Sequence, residues 1–320
     1  MEILKFTPLL KQTLWGGDRI KSFKQIDTPL DHIGESWELS GVAGNETVVA
    51  SGTHQGKTLN QLVAEMKEQL VGRETYQRYG DCFPLLFKFI DARDDLSIQV
   101  HPDDATAHRH GKPSGKTEMW YVLPSAPGAH LYSGLSQQIT PEEYEQRVAS
   151  DTITDVLAHY DVSGGDVFFI PAGRIHSIGA GCMIAEIQQT SDVTYRIYDF
   201  NRRDSQGNLR QLHTREAAES IDYKVYDDYR TAYEPQKNKP VQLVKCPYFT
   251  TYVYDLEMPL VVDYSDLDSF VVLMAIKGSG TLTLSDSQPV TLHAGETVLI
   301  PATARELVVE GTICFLEVFA

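Results

Sequence analysis

Short apolar runs dominate the chain, and most have the length and composition of strands. LSIQV (96–100), MWYVL (119–123), DVFFI (166–170) and CMIAEI (182–187) lie in the first two thirds. FVVLMAI (270–276), GTLTL (280–284), TVLI (297–300) and CFLEVF (314–319) close it. They are rich in β-branched and aromatic residues, and Gly, Pro, Asp and Ser punctuate them. Helical spacing appears at 58–72, with Thr58 as N-cap and a terminal glycine, and at 141–159, opened by T-P-E-E. A shorter helix is expected at Thr214–Ser220. The pattern predicts a mainly β protein, a barrel or sandwich core with a few helical insertions.

An echo divides the chain. G-D-V-F-F-I-P (165–171) is followed five residues after its proline by His176, and G-E-T-V-L-I-P (295–301), at the same distance, by Glu306. A turn, a short buried strand and a terminating proline recur, which predicts two copies of one β-barrel module. The polar, proline-containing stretch 226–240 reads as a linker between a first domain, 1–225, and a second, 241–320. Only the first copy carries histidine at the repeated place, so chemistry is expected there, and the second barrel is expected to lack a metal site.

Composition narrows the partners. The 320 residues carry a formal net charge of −16, which argues against nucleic acid and anionic membranes. An anionic substrate would require cations gathered locally. No apolar run reaches the ~18 residues of a membrane span, and the first residues lack the pattern of a secretory signal. Four scattered cysteines without a CxxC spacing predict reduced thiols and a cytoplasmic location.

In LSIQVH, period-two alternation sets Ser97, Gln99 and His101 on one face, with Leu96, Ile98 and Val100 on the other. This suits a strand lining a polar pocket. Glu118 opens the next apolar strand, with Lys116 two residues before it, and His176 follows a Pro-Gly turn after a buried strand. His101, Glu118 and His176, with the Gln99 oxygen as a further donor, suit zinc or another divalent first-row metal with a position left for substrate. Imidazole ligands must be neutral, which predicts metal loss below about pH 6, near the ~6.5 reference value of histidine.

QVHPDD (99–104), GKTEMWY (115–121) and GDVFFIPAGRIHSIG (165–179) resemble the signature segments of type I mannose-6-phosphate isomerases, zinc-dependent cupin enzymes. LWGG (14–17), GESWELS (34–40), PLLFKFIDARDDLSIQVHPDD (84–104) and SDVTYRIYDFNR (191–202) join them, so the likeness spans most of residues 1–205. The chain resembles the short bacterial form. The resemblance implies two cupin-type (jelly-roll) β-barrels and one zinc per chain at Gln99, His101, Glu118 and His176. It implies a sugar phosphate substrate, mannose 6-phosphate, isomerised to fructose 6-phosphate through an enediol. It places the catalytic arginine at Arg196, with Lys116 stabilising enediolate charge beside it. Asp192 stands where the family has a carboxylate proposed for proton transfer, with Glu38 and metal-bound water as rivals. Lys88 and Arg202 match phosphate-side positions, and Ser97 joins them as an anchor. Two other functions are open to the same residues. Two histidines and a carboxylate also suit an iron or manganese oxygenase. A non-catalytic sugar-binding cupin would leave Lys116, Asp192 and Arg196 unexplained.

Overall fold

The computed structural model describes residues 2–203, 206–285 and 287–320. Its named strands pair antiparallel throughout, in three sheets. The six-stranded sheet runs Val167–Ile170, Glu118–Val122, Met183–Gln189, Leu85–Asp91, Ile33–Leu39, Leu9–Gly17. Opposite it lies a five-stranded sheet ordered Tyr195–Tyr198, Ile98–Val100, His176–Ile178, His130–Leu135, Leu157–Asp161. A nine-stranded sheet gathers the C-terminal strands, among them the long antiparallel pair Val271–Leu284 and Glu306–Phe319. The fold is mainly β as expected. Each sheet's strand order is open-ended, so the expected barrels are not closed hydrogen-bonded ladders.

Alternation explains the layers. In Leu85–Asp91, Phe87 and Phe89 point into a core shared with Phe270, Val272 and Leu316 of the C-terminal sheet. Ile90, one residue on, faces Leu96, Ile178 and Leu131 of the five-stranded side. The outer face of that second sheet, including Ile98, Val100 and Tyr195, is covered by Tyr144 and Val148 of the helix Pro141–Ala149 and by Ala217 of Thr214–Ser220.

The two halves interlock. Leu4–Thr7 pairs with Thr297–Ile300, which adds the chain's first strand to the C-terminal sheet. The 226–240 stretch is docked: the Thr231 amide donates to the Val167 carbonyl at 2.8 Å and the Tyr229 hydroxyl to that of Leu135 at 2.9 Å. Both echo motifs begin with a glycine at positive φ, 99° at Gly165 and 85° at Gly295, a left-handed turn that admits a side chain poorly.

Local expectations meet tertiary corrections. Thr58 caps its helix in a reciprocal box with Gln61, but the helix is Leu59–Met66 and breaks at Lys67, whose φ is 52°. Glu68–Val71 and Arg73–Tyr79 continue as separate turns. The 141–159 helix ends at Ala149, because Leu157–Asp161 pairs with His130–Leu135 instead. Sheet pairing there overrides helical spacing. The two strands expected at 270–276 and 280–284 are one, Val271–Leu284. Among the described residues no helix is long and apolar enough to cross a membrane.

Candidate metal centre and substrate cavity

Gln99 is the inward residue of Ile98–Val100, directly opposite His176 on one side and Arg196 on the other. Directly paired residues point to the same face, so one rung presents His176, Gln99 and Arg196 together. From the facing sheet, Glu118 begins its strand and Trp120 follows on the same side. His101 lies just past Val100, where its carbonyl accepts the Gly173 amide at 2.8 Å.

Ligand atoms of His101, Glu118 and His176 all fall within 4.8 Å of one another, and the three side chains are buried. His101 Nε2 is 3.5 Å from Glu118 Oε2, and His176 Nε2 is 3.4 Å from Glu118 Oε1. His176 Nδ1 donates to the Arg174 carbonyl at 2.8 Å, which leaves the Nε2 lone pair facing the cluster. His101 Nε2 and Glu118 Oε1 are buried without a hydrogen-bond partner among the described residues, and Glu118 Oε2 has the Lys116 ammonium beside it, at 3.2 Å. Buried polar atoms left this way imply a missing partner, and a cation satisfies all of them at once. The donor set can therefore hold a metal.

Burial holds both imidazoles neutral, His101 well below the usual histidine range and His176 down to about 4. Burial also pushes the Glu118 carboxyl up to about 7, against the pull of Lys116, whose Nζ is 3.2 Å from Oε2. Gln99 Nε2 lies 3.3 Å from His176 Nε2, and Ser97 Oγ lies 3.5 Å from Gln99 Oε1. A half-turn of that amide would aim its oxygen at the cluster and its nitrogen at Ser97.

A cavity of about 190 Å³ adjoins the triad. Gln99 and Lys116 line it, as do Ser97, Lys88, Arg196 and Asp192. Leu96 lines it too, contrary to the expected alternation, because regular strand geometry begins only at Ile98. Lys88 is buried and ion-paired to Glu186 at 3.0 Å, with Glu35 at 3.8 Å. These carboxylates outweigh burial and keep the ammonium above the usual lysine range. Glu186 in turn is held down to about 2, Lys88 outweighing its burial, and accepts from Trp120 Nε1 at 3.0 Å.

Arg202 is not among the lining residues. Its guanidinium donates to the Asp95 carbonyl at 2.6 Å and to Asp199 at 2.8 Å. Arg210, on the same carboxylate, does line the cavity. Glu38 lies elsewhere, ion-paired to Lys24 at 2.7 Å, which removes it as a rival base. Sequence reading missed Arg210, Glu35, Glu186 and Trp37. Glu186 had a signal: Ala185 and Ile187 face the core, so the residue between them faces the other way. Arg210 is in a loop and had none.

Residues 3–123 match the catalytic domain of type I phosphomannose isomerases, and residues 239–320 the cupin domain of mannose-6-phosphate isomerases. The mannose-6-phosphate isomerase of Streptococcus mutans is 33% identical over 305 residues, 95% of this chain and 94% of its own. A Bacillus subtilis counterpart is 33% identical over 314 residues, 97% and 96% of the two chains. This chain belongs to the type I phosphomannose isomerase family. It is therefore an isomerase. The crystal structure of mannose 6-phosphate isomerase from Bacillus subtilis superposes with a TM-score of 0.90 at 30% identity, covering 99% of each chain. A point mutant of phosphomannose isomerase from Salmonella typhimurium superposes with a TM-score of 0.82 at 16% identity, covering 100% of this chain and 99% of its own, and shares the fold. In this isomerase family member, the segments 99–104 and 115–121 that carry Gln99, His101, Lys116 and Glu118 fall inside the matched catalytic domain.

Proposed function

We propose that the chain interconverts mannose 6-phosphate and fructose 6-phosphate, with one zinc held by His101, Glu118, His176 and the Gln99 oxygen. The observation that carries this reading is the buried His–Glu–His cluster beside a cavity lined by Lys116 and Arg196. When bound, zinc supplies Lewis-acid polarisation of the sugar oxygens at C1 and C2.

The reaction moves the C2 proton of the aldose to C1 and the O2 proton to O1, so no external oxidant or reductant takes part. Asp192, at the exposed rim of the cavity, is the proton carrier in this reading. Lys116 and Arg196 stabilise the enediolate oxygens. Arg196 Nε is buried and unpaired among the described residues, while its Nη1 donates to the Gln211 carbonyl at 3.0 Å. That bond steers the guanidinium and leaves a donor for developing charge. Ser97 flanks the phosphate in this scheme, Lys88 is held by Glu186 and Glu35, and Arg202 acts from behind through Asp199.

We also propose a catalytic part, 1–225, a connecting strap, 226–240, and a C-terminal jelly-roll part, 241–320, the two parts being cupin-type halves built on the repeated turn–strand–proline motif. The four cysteines are unpaired, which fits a reducing, cytoplasmic setting.

The test is a coupled assay on mannose 6-phosphate, run with metal analysis of the same sample. Turnover that disappears on chelation and returns with zinc supports the reading. A zinc-loaded protein without turnover, or an iron-loaded one that consumes oxygen, overturns it.

A further inference from the structure

Arg196, Arg202 and Arg210 cluster beside the cavity, and their surroundings divide their roles. Arg202 is spent on the Asp95 carbonyl and on Asp199. Asp199 also takes one edge of Arg210: Arg210 Nε donates to Asp199 Oδ2 at 2.7 Å, and Nη2 to Oδ1. Arg202 and Arg210 thus share a single carboxylate, and Arg196 has only a carbonyl. Burial first, and then the nearby charges of Arg210 and Arg202 against the opposing pull of Asp199, weaken the hold of Arg196 on its own proton. Like charges gathered at a cavity wall call for an anion. Asp192, the carboxylate on this side, is exposed and makes no hydrogen bond to these guanidinia among the described residues.

The other cations in the cavity are already matched. Lys88 is paired with Glu186 and Glu35, and Lys116 with Glu118. The phosphate therefore finds its uncompensated charge on the arginine side. Ser97 belongs to that side, since Ile98 pairs with Tyr198, the residue before Asp199.

We infer that Arg210 is the direct phosphate-binding residue of this site, held in a ready geometry by Asp199, and that Arg202 is a positioning residue that shares the clamp. The inference rests on the sugar-phosphate reading above and deepens it. A guanidinium fixed along one edge keeps its other edge, Nη1, for a phosphate oxygen, and the ordering entropy is removed before substrate arrives.

The experiment compares wild type, Arg210→Ala, Arg210→Lys and Arg202→Ala as zinc-loaded enzymes. Calorimetry with inorganic phosphate is the direct readout and does not depend on turnover, so it separates this inference from the proposed activity. Arg210→Ala should weaken phosphate binding and raise KM for mannose 6-phosphate by about 10- to 100-fold, the usual effect of losing one charge-assisted contact. Its kcat should stay within about threefold. Arg210→Lys, which keeps charge without the fork, should fall between, and Arg202→Ala should shift KM less than Arg210→Ala. Phosphate affinity and KM unchanged in Arg210→Ala would overturn the inference, as would a larger KM effect at Arg202 or a loss confined to kcat. Should Arg210→Ala fail to fold, Arg210→Lys decides: wild-type phosphate affinity and KM in that variant overturn the inference.

Discussion

Arg196 stands directly opposite Gln99 on adjacent antiparallel strands. Because Gln99 also faces His176, the pleat delivers a guanidinium, an amide and an imidazole to one line across the sheet. Arg196 is further fixed from outside, its amide donating to His213 Nδ1 at 3.2 Å and its carbonyl accepting from the His213 amide at 2.7 Å.

That placement makes Arg196 a test of where charge develops. Arg196→Lys and Arg196→Ala should each lose at least about tenfold in kcat, and as much as the ~10²–10³-fold typical of a lost charge-stabilising donor. Metal content should not change. A rise in KM alone, with kcat intact, would place Arg196 on the phosphate instead.

His101→Ala and His176→Ala should lose metal and activity together while remaining folded, since the cores on both faces of the site's sheets contain neither residue. Metal analysis beside circular dichroism checks this. Full zinc occupancy in either variant would remove that residue from the ligand set.

The pH dependence of metal binding should follow Glu118 rather than the imidazoles. The histidines are already neutral at pH 7, whereas the carboxyl is pushed up to about 7 in the metal-free protein. Below that value a proton must leave Glu118 before metal binds, so affinity should fall about tenfold per pH unit, and above it should level off. Calorimetry in buffers of different ionisation enthalpy should detect release of close to one proton at pH 6 and little at pH 8.5. Uptake of protons, or no change between the two, would contradict this assignment. The midpoint therefore moves upward from the pH 6 expected of free imidazoles.

Lys88→Met should destabilise the protein by about 3–5 kcal/mol, because it strands Glu186 in a buried site. Denaturant unfolding measures it. The double variant Lys88→Met with Glu186→Leu should recover much of the loss. If the single variant is as stable as wild type, Lys88 is not the counter-ion of Glu186.

Asp192→Asn should keep substrate binding and lower kcat by about 10²–10⁴-fold, the range of a positioned base. Exchange of the substrate C2 hydrogen with deuterated water should slow equally. Unchanged exchange would assign the proton to another carrier.

The sequence alone determined what local physics encodes. Period-two alternation set Gln99 inward between Ile98 and Val100, and residue type marked His101, Glu118 and His176 as a candidate ligand set. Capping residues located the starts of the helices at 59 and 141, since a cap acts within one turn. Only the tertiary structure decided where those helices stop, which strands pair, and which cations are free. Lys88 and Arg202 read as available charges along the chain. Yet Glu186, far along the sequence from Lys88, neutralises it, and Asp199 and the Asp95 carbonyl turn Arg202 away. Arg210 reaches the cavity from a loop that has no periodicity to announce it. Electrostatic matching acts through space between segments remote in sequence, so the cavity's balance of charge emerges only when the two facing sheets and the residues around Asp199 and Arg210 come together.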